Sequence, residues 1–261
     1  MLSVVVITRN EEANIRRCLT SVSFADEIIV VDSGSTDKTT AIAKQCGANV
    51  YVNEWSGYGP QKNFGAAKTS GDWLLFIDAD EEAPPALAES IGSVTDGTAE
   101  TTYDFYWLRI VTVFLGKPLS HLYGHNPRLF RKSAGRWTGA QVHEQVTTND
   151  GDLITLGDDK SGLLETSLLH YSHNSISSYL KKMHKYTTLD AKEMMATNKH
   201  RSGRKVKPSI FLPFRLSVRQ FIKLLVYKRG LLDGVSGVVW CFLSAYYEFE
   251  MASKYLKMTK A

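Results

Sequence analysis

"WLLFIDADEEAPP", residues 73–85, decides the fold. An apolar run of buried-strand type ends in Asp78, Asp80, Glu81 and Glu82, and two prolines stop it. Like charges that close repel and raise each other's pKa. Four carboxylates where a strand surfaces need a positive partner, or they are a solvated helix start facing a positive dipole end.

The same strand type recurs upstream. "LSVVVIT" (2–8) is a continuous, largely β-branched run, followed by "EIIVVD" (27–32) and "ANVYV" (48–52). Helical segments lie between them. One spans about 12–22, with Ile15, Leu19 and Val22 at helical spacing. The next follows the loop "SGST", with Ser35 or Thr36 as its cap, and ends at Gly47. "PQKNFGAAKTSG" (60–71) is the third. Buried strands alternating with helices predict an α/β fold, a mainly parallel sheet flanked by helices. Ligands of such sheets bind beyond the carboxyl ends of the strands. Asp32, Asp78 and the "TRNE" segment (8–11) stand at three of those ends. Asp37 is expected to hold the local turn.

After residue 100 the pattern changes. "YDFYWLRIVTVF" (103–114) is a long strand; 124–132 and 143–148 are shorter strands and loops. "LLETSLLHYSH" (163–173) carries a last strand ending near His170, and helix resumes near Ser175. Residues 199–209 are a basic linker. Beyond it Phe214, Val218, Phe221, Ile222 and Leu225 form an apolar helical stripe, and Arg215, Arg219 and Lys223 a basic one. The expected division is a catalytic domain over 1–198 and basic amphipathic and apolar C-terminal helices over 199–261.

Charge supports that division. Residues 181–229 hold fourteen Lys or Arg against Asp190 and Glu193, a net of +12, while the rest of the chain nets −8. Such a block faces an anionic partner: lipid headgroups, nucleic acid or an anionic substrate. No stacking motif or nucleic-acid module accompanies it, which argues against nucleic acid. The uncharged run 234–247 is too short to span a bilayer comfortably. Cys18, Cys46 and Cys241 fit neither a zinc site nor a disulfide framework, so a reducing compartment is expected. The apolar start of the chain reads as a first strand, because acids follow at once and no basic stretch precedes it.

Asp78 and Asp80 lie two apart, and on an extended chain they project to one side. Two hard oxygen ligands suit Mg²⁺ or Mn²⁺ bridging to a diphosphate. An EF-hand is excluded, since the later ligands and the turn glycine are missing.

"VVVITRNEE", "IIVVDSGSTDKT" and "GPQKNFGAAKTSGDWLLFIDADE", in this order and spacing, resemble the family 2 inverting glycosyltransferases of the GT-A fold. The resemblance covers about residues 1–175. It implies that "DAD" is the metal-binding D-x-D, with Asp78 and Asp80 on the metal and diphosphate. It also implies that Asp32 lies beside the nucleotide base and that Thr8, Asn10 and Glu11 line a uridine pocket. Lys62 either assists the diphosphate or is a solvated helix residue. The general base of an inverting transferase follows the D-x-D. "QVHEQV" offers Glu144, with Gln145 standing where the motif carries an acid. A late histidine on the metal is expected at His170, with His173 the alternative. Trp137 is a candidate for a sugar face. Arg128 and Arg131 are structural or phosphate contacts.

The "RLFRK…VHE" segment and the C-terminal "YKRGLLDGVSGVVWCFLSAYYEF" are similar to lipopolysaccharide core β-1,4-glucosyltransferases. This implies a UDP-hexose donor, glucose first, and an anionic glycolipid acceptor, the inner-core heptose. The expected location is the cytoplasmic membrane surface, as a peripheral protein. Alternatives are transfer of another sugar or to another envelope acceptor, a nucleotidyltransferase, or an inactive membrane adaptor. A nucleotidyltransferase usually shows a Gly-rich basic loop after its first strand, which "TRNEEAN" lacks. Asp78, Asp80 and Glu144 argue against an inactive adaptor.

Overall fold

The computed structural model describes residues 1–99, 103–139, 144–173 and 175–260. In chain order its elements are β1 (Leu2–Thr8), α1 (Ile15–Ser21), β2 (Glu27–Asp32), α2 (Thr39–Gln45), β3 (Asn49–Val52), α3 (Tyr58–Lys68), β4 (Trp73–Asp78) and the two-residue β5 (Glu81–Glu82). There follow α4 (Pro85–Thr95), β6 (Phe105–Phe114), β7 (Lys117–Arg131), β8 (Gly135–Trp137), β9 (Val146–Thr148) and β10 (Ser161–His173). Helices α5 (Ile176–Thr197), α6 (Leu212–Ile222) and α7 (Gly234–Lys260) complete the chain.

Eight strands form one sheet in the order β3-β2-β1-β4-β7-β6-β10-β5. β1 pairs in parallel with β2 and with β4, and β2 with β3, whereas β7 joins β4 antiparallel. The expected mainly parallel α/β sheet forms, and antiparallel pairings beyond β4 make it mixed. Its burial follows the strand period of two. Leu2, Val4 and Val6 of β1, with Trp73, Leu75 and Ile77 of β4, enter one core that also takes Ile15, Leu19 and Leu87. Val5, Leu74 and Phe76 enter the core on the other face, with Phe105, Phe130 and Trp137. Both faces are covered, which is why these strands read as unbroken apolar runs.

Helix α3 lies very close to that second face. A Cβ on Gly65 would stand 2.4 Å from Val5 Cγ1 and 3.0 Å from Val31 Cγ2, both on stiff β-branched side chains. Gly65→Ala should therefore destabilise the fold by about 1–3 kcal/mol through overpacking. Chemical denaturation checks this, and an unchanged midpoint would mean that α3 can lift off the sheet.

The chain divides into two compact units. The first comprises Met1–Val111 with Gly124–His170; the second comprises Thr112–Tyr123 with the chain from Tyr171 onward. The boundary expected after residue 198 therefore differs from the structural one. The reason is α5, whose Ala191 and Met194 share a core with Met251 and Tyr255 of α7. Asp190 also accepts a bond from Tyr247 (2.6 Å).

The expected basic linker is likewise folded. Glu248, buried on α7, accepts from Arg201 (2.6 Å) and pairs with His200 (2.9 Å), while Val206 joins the α5–α7 core. Part of the basic block is thus neutralised internally. Among the described residues, no helix is long and apolar enough to cross a membrane.

Two local expectations are corrected. Strand β7 runs fifteen residues, because a turn at Leu115 and Gly116, both at positive φ, returns β6 into it. Helix α2 starts at Thr39 and has no side-chain cap from Ser35 or Thr36. Asp37 holds that start, accepting from the backbone N–H of Thr39 (3.0 Å) and of Glu12 (3.2 Å).

Candidate active site

The carboxyl ends of β1 and β2 close on each other through polar loops. Asn10, at φ 56°, accepts from the Thr36 N–H (2.8 Å) and donates its own N–H to Ser35 Oγ (2.8 Å). The Glu11 N–H donates to Thr39 Oγ1 (2.8 Å), and the Glu11 carboxylate accepts from Asn14 Nδ2 (2.8 Å). Asp32 is buried and accepts from the N–H groups of Gly34 (3.0 Å) and Ser35 (2.8 Å), and from the Ser35 hydroxyl. Its carboxylate thus organises the loop after β2. Thr8 Oγ1 is buried and has no hydrogen-bond partner among the described residues. A buried hydroxyl without a partner is costly, so the end of β1 carries an uncompensated polar group.

The acid cluster has protein cations beside it. β4 ends at Asp78 and a turn follows, so Asp78 and Asp80 do not share one extended stretch. They have separate partners. Asp78 Oδ2 lies 3.0 Å from Arg128 Nη2, and its Oδ1 lies 3.8 Å from Lys62 Nζ. Asp80 Oδ2 lies 3.3 Å from His170 Nε2. Glu81 is buried, accepts from the Asp78 N–H (2.7 Å) and pairs with Arg128 (2.8 Å). Strand β5 exists because β10 pairs with it: His170 lies opposite Glu81. That pairing also brings the imidazole to Asp80.

These contacts set the charges. Burial opposes ionisation of Asp78, but Arg128 and Lys62 outweigh it and hold the carboxyl far below its usual range. Glu81 is pushed up to about 7, because burial and the Asp78 charge outweigh Arg128. Burial works against a charged His170, yet the Asp80 bond and the surrounding acids push it up to about 9.

Lys62 is the second buried cation, with a side chain only 3% exposed. Its ammonium lies 2.6 Å from Glu144 Oε1 and 4.3 Å from the Trp137 ring centroid. Asn63 stitches α3 to β8: it donates to the Trp137 carbonyl (2.8 Å) and accepts the Trp137 N–H (3.0 Å). Gln145 exchanges backbone bonds with Thr138, donating to its hydroxyl (3.0 Å) and accepting its N–H (2.8 Å). So α3 and the end of β8 together fix Glu144 near Asp78.

The structure brings Lys62, Asp78 and Glu144 together, and separately Asp80 with His170. Trp137 is buried in the core beneath Lys62, with its ring against Phe76, so the expected sugar face is a core wall. Arg131 stacks on Trp73 and pairs with Asp104 (3.4 Å). His143 lies outside the described residues, as does the side chain of His173. Arg128, read from the sequence as a structural or phosphate contact, pairs with Asp78 and with Glu81, an acid not singled out there as a site residue. Only the density of acids after Asp78 hinted at a buried cation.

Among the described residues, no group of three or more His, Cys, Asp or Glu is arranged to hold a metal. Two residues nonetheless fit one. Octahedral ligands about 2.1 Å from a small divalent cation stand roughly 3 Å apart. Asp80 Oδ2 and His170 Nε2 are 3.3 Å apart, close enough for one cation to take both, and the carboxylate is a hard ligand suited to Mg²⁺ or Mn²⁺. Binding would require His170 to release its proton. Asp78 is committed to Arg128 and Lys62 instead.

The mostly parallel sheet, with Asp32 and Asp78 at the carboxyl ends of β2 and β4, has the architecture of the GT-A class. The glycosyl transferase family 2 model matches residues 3–151, and the chain belongs to that family. An uncharacterised glycosyltransferase of Rickettsia typhi is 33% identical over 97% of this chain and 86% of its own. The lipopolysaccharide core biosynthesis glycosyltransferase LpsC of Rhizobium meliloti is 29% identical, over 94% of this chain and 90% of its own. Among solved structures, glucosyl-3-phosphoglycerate synthase from Mycobacterium tuberculosis, in complex with Mn²⁺, UDP and glucosyl-3-phosphoglycerate, is 31% identical. That match covers 43% of this chain and 44% of the other, with a TM-score of 0.35. The protein is a glycosyltransferase.

Proposed function

We propose that the chain moves a hexosyl group, glucose first among candidates, from a UDP-hexose onto a lipid-linked saccharide of the lipopolysaccharide core. The inner-core heptose is the leading acceptor. The observation that carries the reading is Glu144, held 2.6 Å from a buried Lys62 whose ammonium also faces Asp78. Full-length similarity to LpsC supports a core saccharide as acceptor.

In this reading Glu144 takes the proton of the acceptor hydroxyl as its oxygen attacks the anomeric carbon. The bond from that carbon to the β-phosphate oxygen breaks, UDP departs, and the configuration inverts. Lys62 orients Glu144, and the segment from Thr8 to Glu11 lines the nucleotide pocket. Asp80 and His170 would hold a divalent cation, Mg²⁺ or Mn²⁺, which supplies positive charge to the leaving diphosphate.

A nucleotide-sugar panel tests this through stability. A donor at a hundred times its Kd should stabilise the protein by about 2.7 kcal/mol. UDP-hexoses should do so, and Mn²⁺ should add to the shift. Asp80→Asn should abolish the Mn²⁺ increment while leaving the metal-free response to UDP. Equal shifts with all nucleotide sugars, or an Mn²⁺ increment that survives in Asp80→Asn, would overturn the respective assignments.

A further inference from the structure

Helix α6 is apolar on more of its surface than its packing uses. Leu212 is buried in one core of the second unit, and Leu216 packs against that core. Phe221, with Leu224 and Leu225 in the π-helical turn that follows, packs against another core with Cys241. Two members of the stripe read from sequence, Phe221 and Leu225, thus face inward.

A second apolar stripe faces out. Phe211, Phe214, Val218, Ile222 and Val226 are 44% to 74% exposed, at intervals of three or four residues. Arg215, Arg219 and Lys223 form an exposed basic row one helical position further round. The two rows bound an open groove of about 750 Å³. The turn after the helix continues the pattern, with Tyr227, Leu231 and Leu232 exposed and with Lys228 and Arg229 beside them.

Soluble proteins seldom leave so continuous an apolar strip in water without a use for it. The charge beside it has one sign. Residues 210–235 contain five Lys or Arg and one acid, Asp233. That acid is turned inward, its side chain 3% exposed and paired with His121 (2.7 Å). Exposed apolar side chains next to a basic row that no acid pairs with among the described residues are the pattern of a helix lying in a bilayer interface. Long basic stems can reach headgroup level while the apolar row enters the acyl boundary.

We propose that the outer face of α6 and the turn after it dock on an anionic lipid bilayer surface. Phe214, Val218 and Ile222 enter the interface, and Arg215, Arg219 and Lys223 pair with lipid phosphates. This rests on the second unit alone and is independent of the donor and acceptor assigned above.

Co-sedimentation of the full chain with two kinds of vesicle tests it. One is phosphatidylcholine alone; the other is phosphatidylcholine mixed with phosphatidylglycerol. The chain should prefer the anionic vesicles, and raised salt should weaken that preference. Changing Arg215, Arg219 and Lys223 together to Gln should weaken anionic binding roughly 100-fold. Val218→Asp with Ile222→Asp should remove binding at every salt concentration. Unchanged circular dichroism and melting temperature would confirm that the variants fold; should the aspartate pair fail to fold, the Gln variant decides. Equal binding to both vesicles, or anionic binding that survives the Gln variant, overturns the proposal. So does a wild-type dimer that ignores vesicles and dissociates on Val218→Asp, since the face then belongs to a second copy.

Discussion

Replacing Glu144 by Gln should lower sugar transfer by roughly 10²- to 10⁴-fold while leaving donor affinity nearly unchanged. The amide keeps the shape of the side chain. Its carbonyl oxygen can still accept the Lys62 bond, which now spans 2.6 Å, so the cation keeps a partner. What is lost is the capacity to take a proton. Neighbouring acids are poor substitutes. Asp78 is ion-paired with Arg128, Glu81 is buried against the same guanidinium, and Asp80 faces His170. Transfer rates and donor titration by calorimetry separate the two effects. Normal transfer by Glu144→Gln, with loss on changing another acid of the pocket, would show that the base had been misassigned.

Sequence and structure agree best where one local signal sufficed. β1, β2 and β4 are unbroken apolar runs because both faces of each are buried. The parallel order follows from the helices between them. The acid cluster at the end of β4 was equally visible, and so was the need for positive charge beside it. The source of that charge was not. Arg128 comes from β7, fifty residues away, and Lys62 from a helix whose composition gives no sign of burial. Lys62 is buried because Gly65 lets α3 settle onto the sheet, a tertiary event without a local signature.

The short strand β5 was illegible for a related reason. Glu81 and Glu82 have no strand propensity and pair only because β10 arrives beside them. The D-x-D pattern suggested a common side for both acids, but a strand ending at Asp78 divides them. Glu144 could be proposed only through family resemblance, since nothing in "QVHEQV" marks a base. The second unit misled in the opposite direction. Residues 199–209 read as a basic linker, yet Glu248 draws His200 and Arg201 onto α7. Composition counts charges and cannot show which of them are paired within the fold.

Changing Arg128 to Met should destabilise the protein by about 3–5 kcal/mol, the usual effect of removing one member of a buried ion pair. The guanidinium is 6% exposed and lies within 3.0 Å of both Asp78 and Glu81. Met retains much of the stem and the packing, so the loss is chiefly electrostatic. Glu81 would then be a buried acid facing the Asp78 charge with no cation between them. For a unit of this size the melting temperature should fall by on the order of 10 °C. A second substitution separates charge from packing. Glu81→Gln added to Arg128→Met removes the stranded acid while keeping an acceptor for the Asp78 N–H, whose bond to Glu81 measures 2.7 Å. The double variant should therefore recover a large part of the lost stability, although Asp78 would still lack Arg128. Guanidinium unfolding of the four proteins in this cycle measures the coupling directly. If Arg128→Met unfolds within 1 kcal/mol of wild type, the arginine is not the internal counter-ion of the acid cluster. Its charge would then be available to a ligand phosphate, and the same variant should instead weaken binding of the nucleotide sugar.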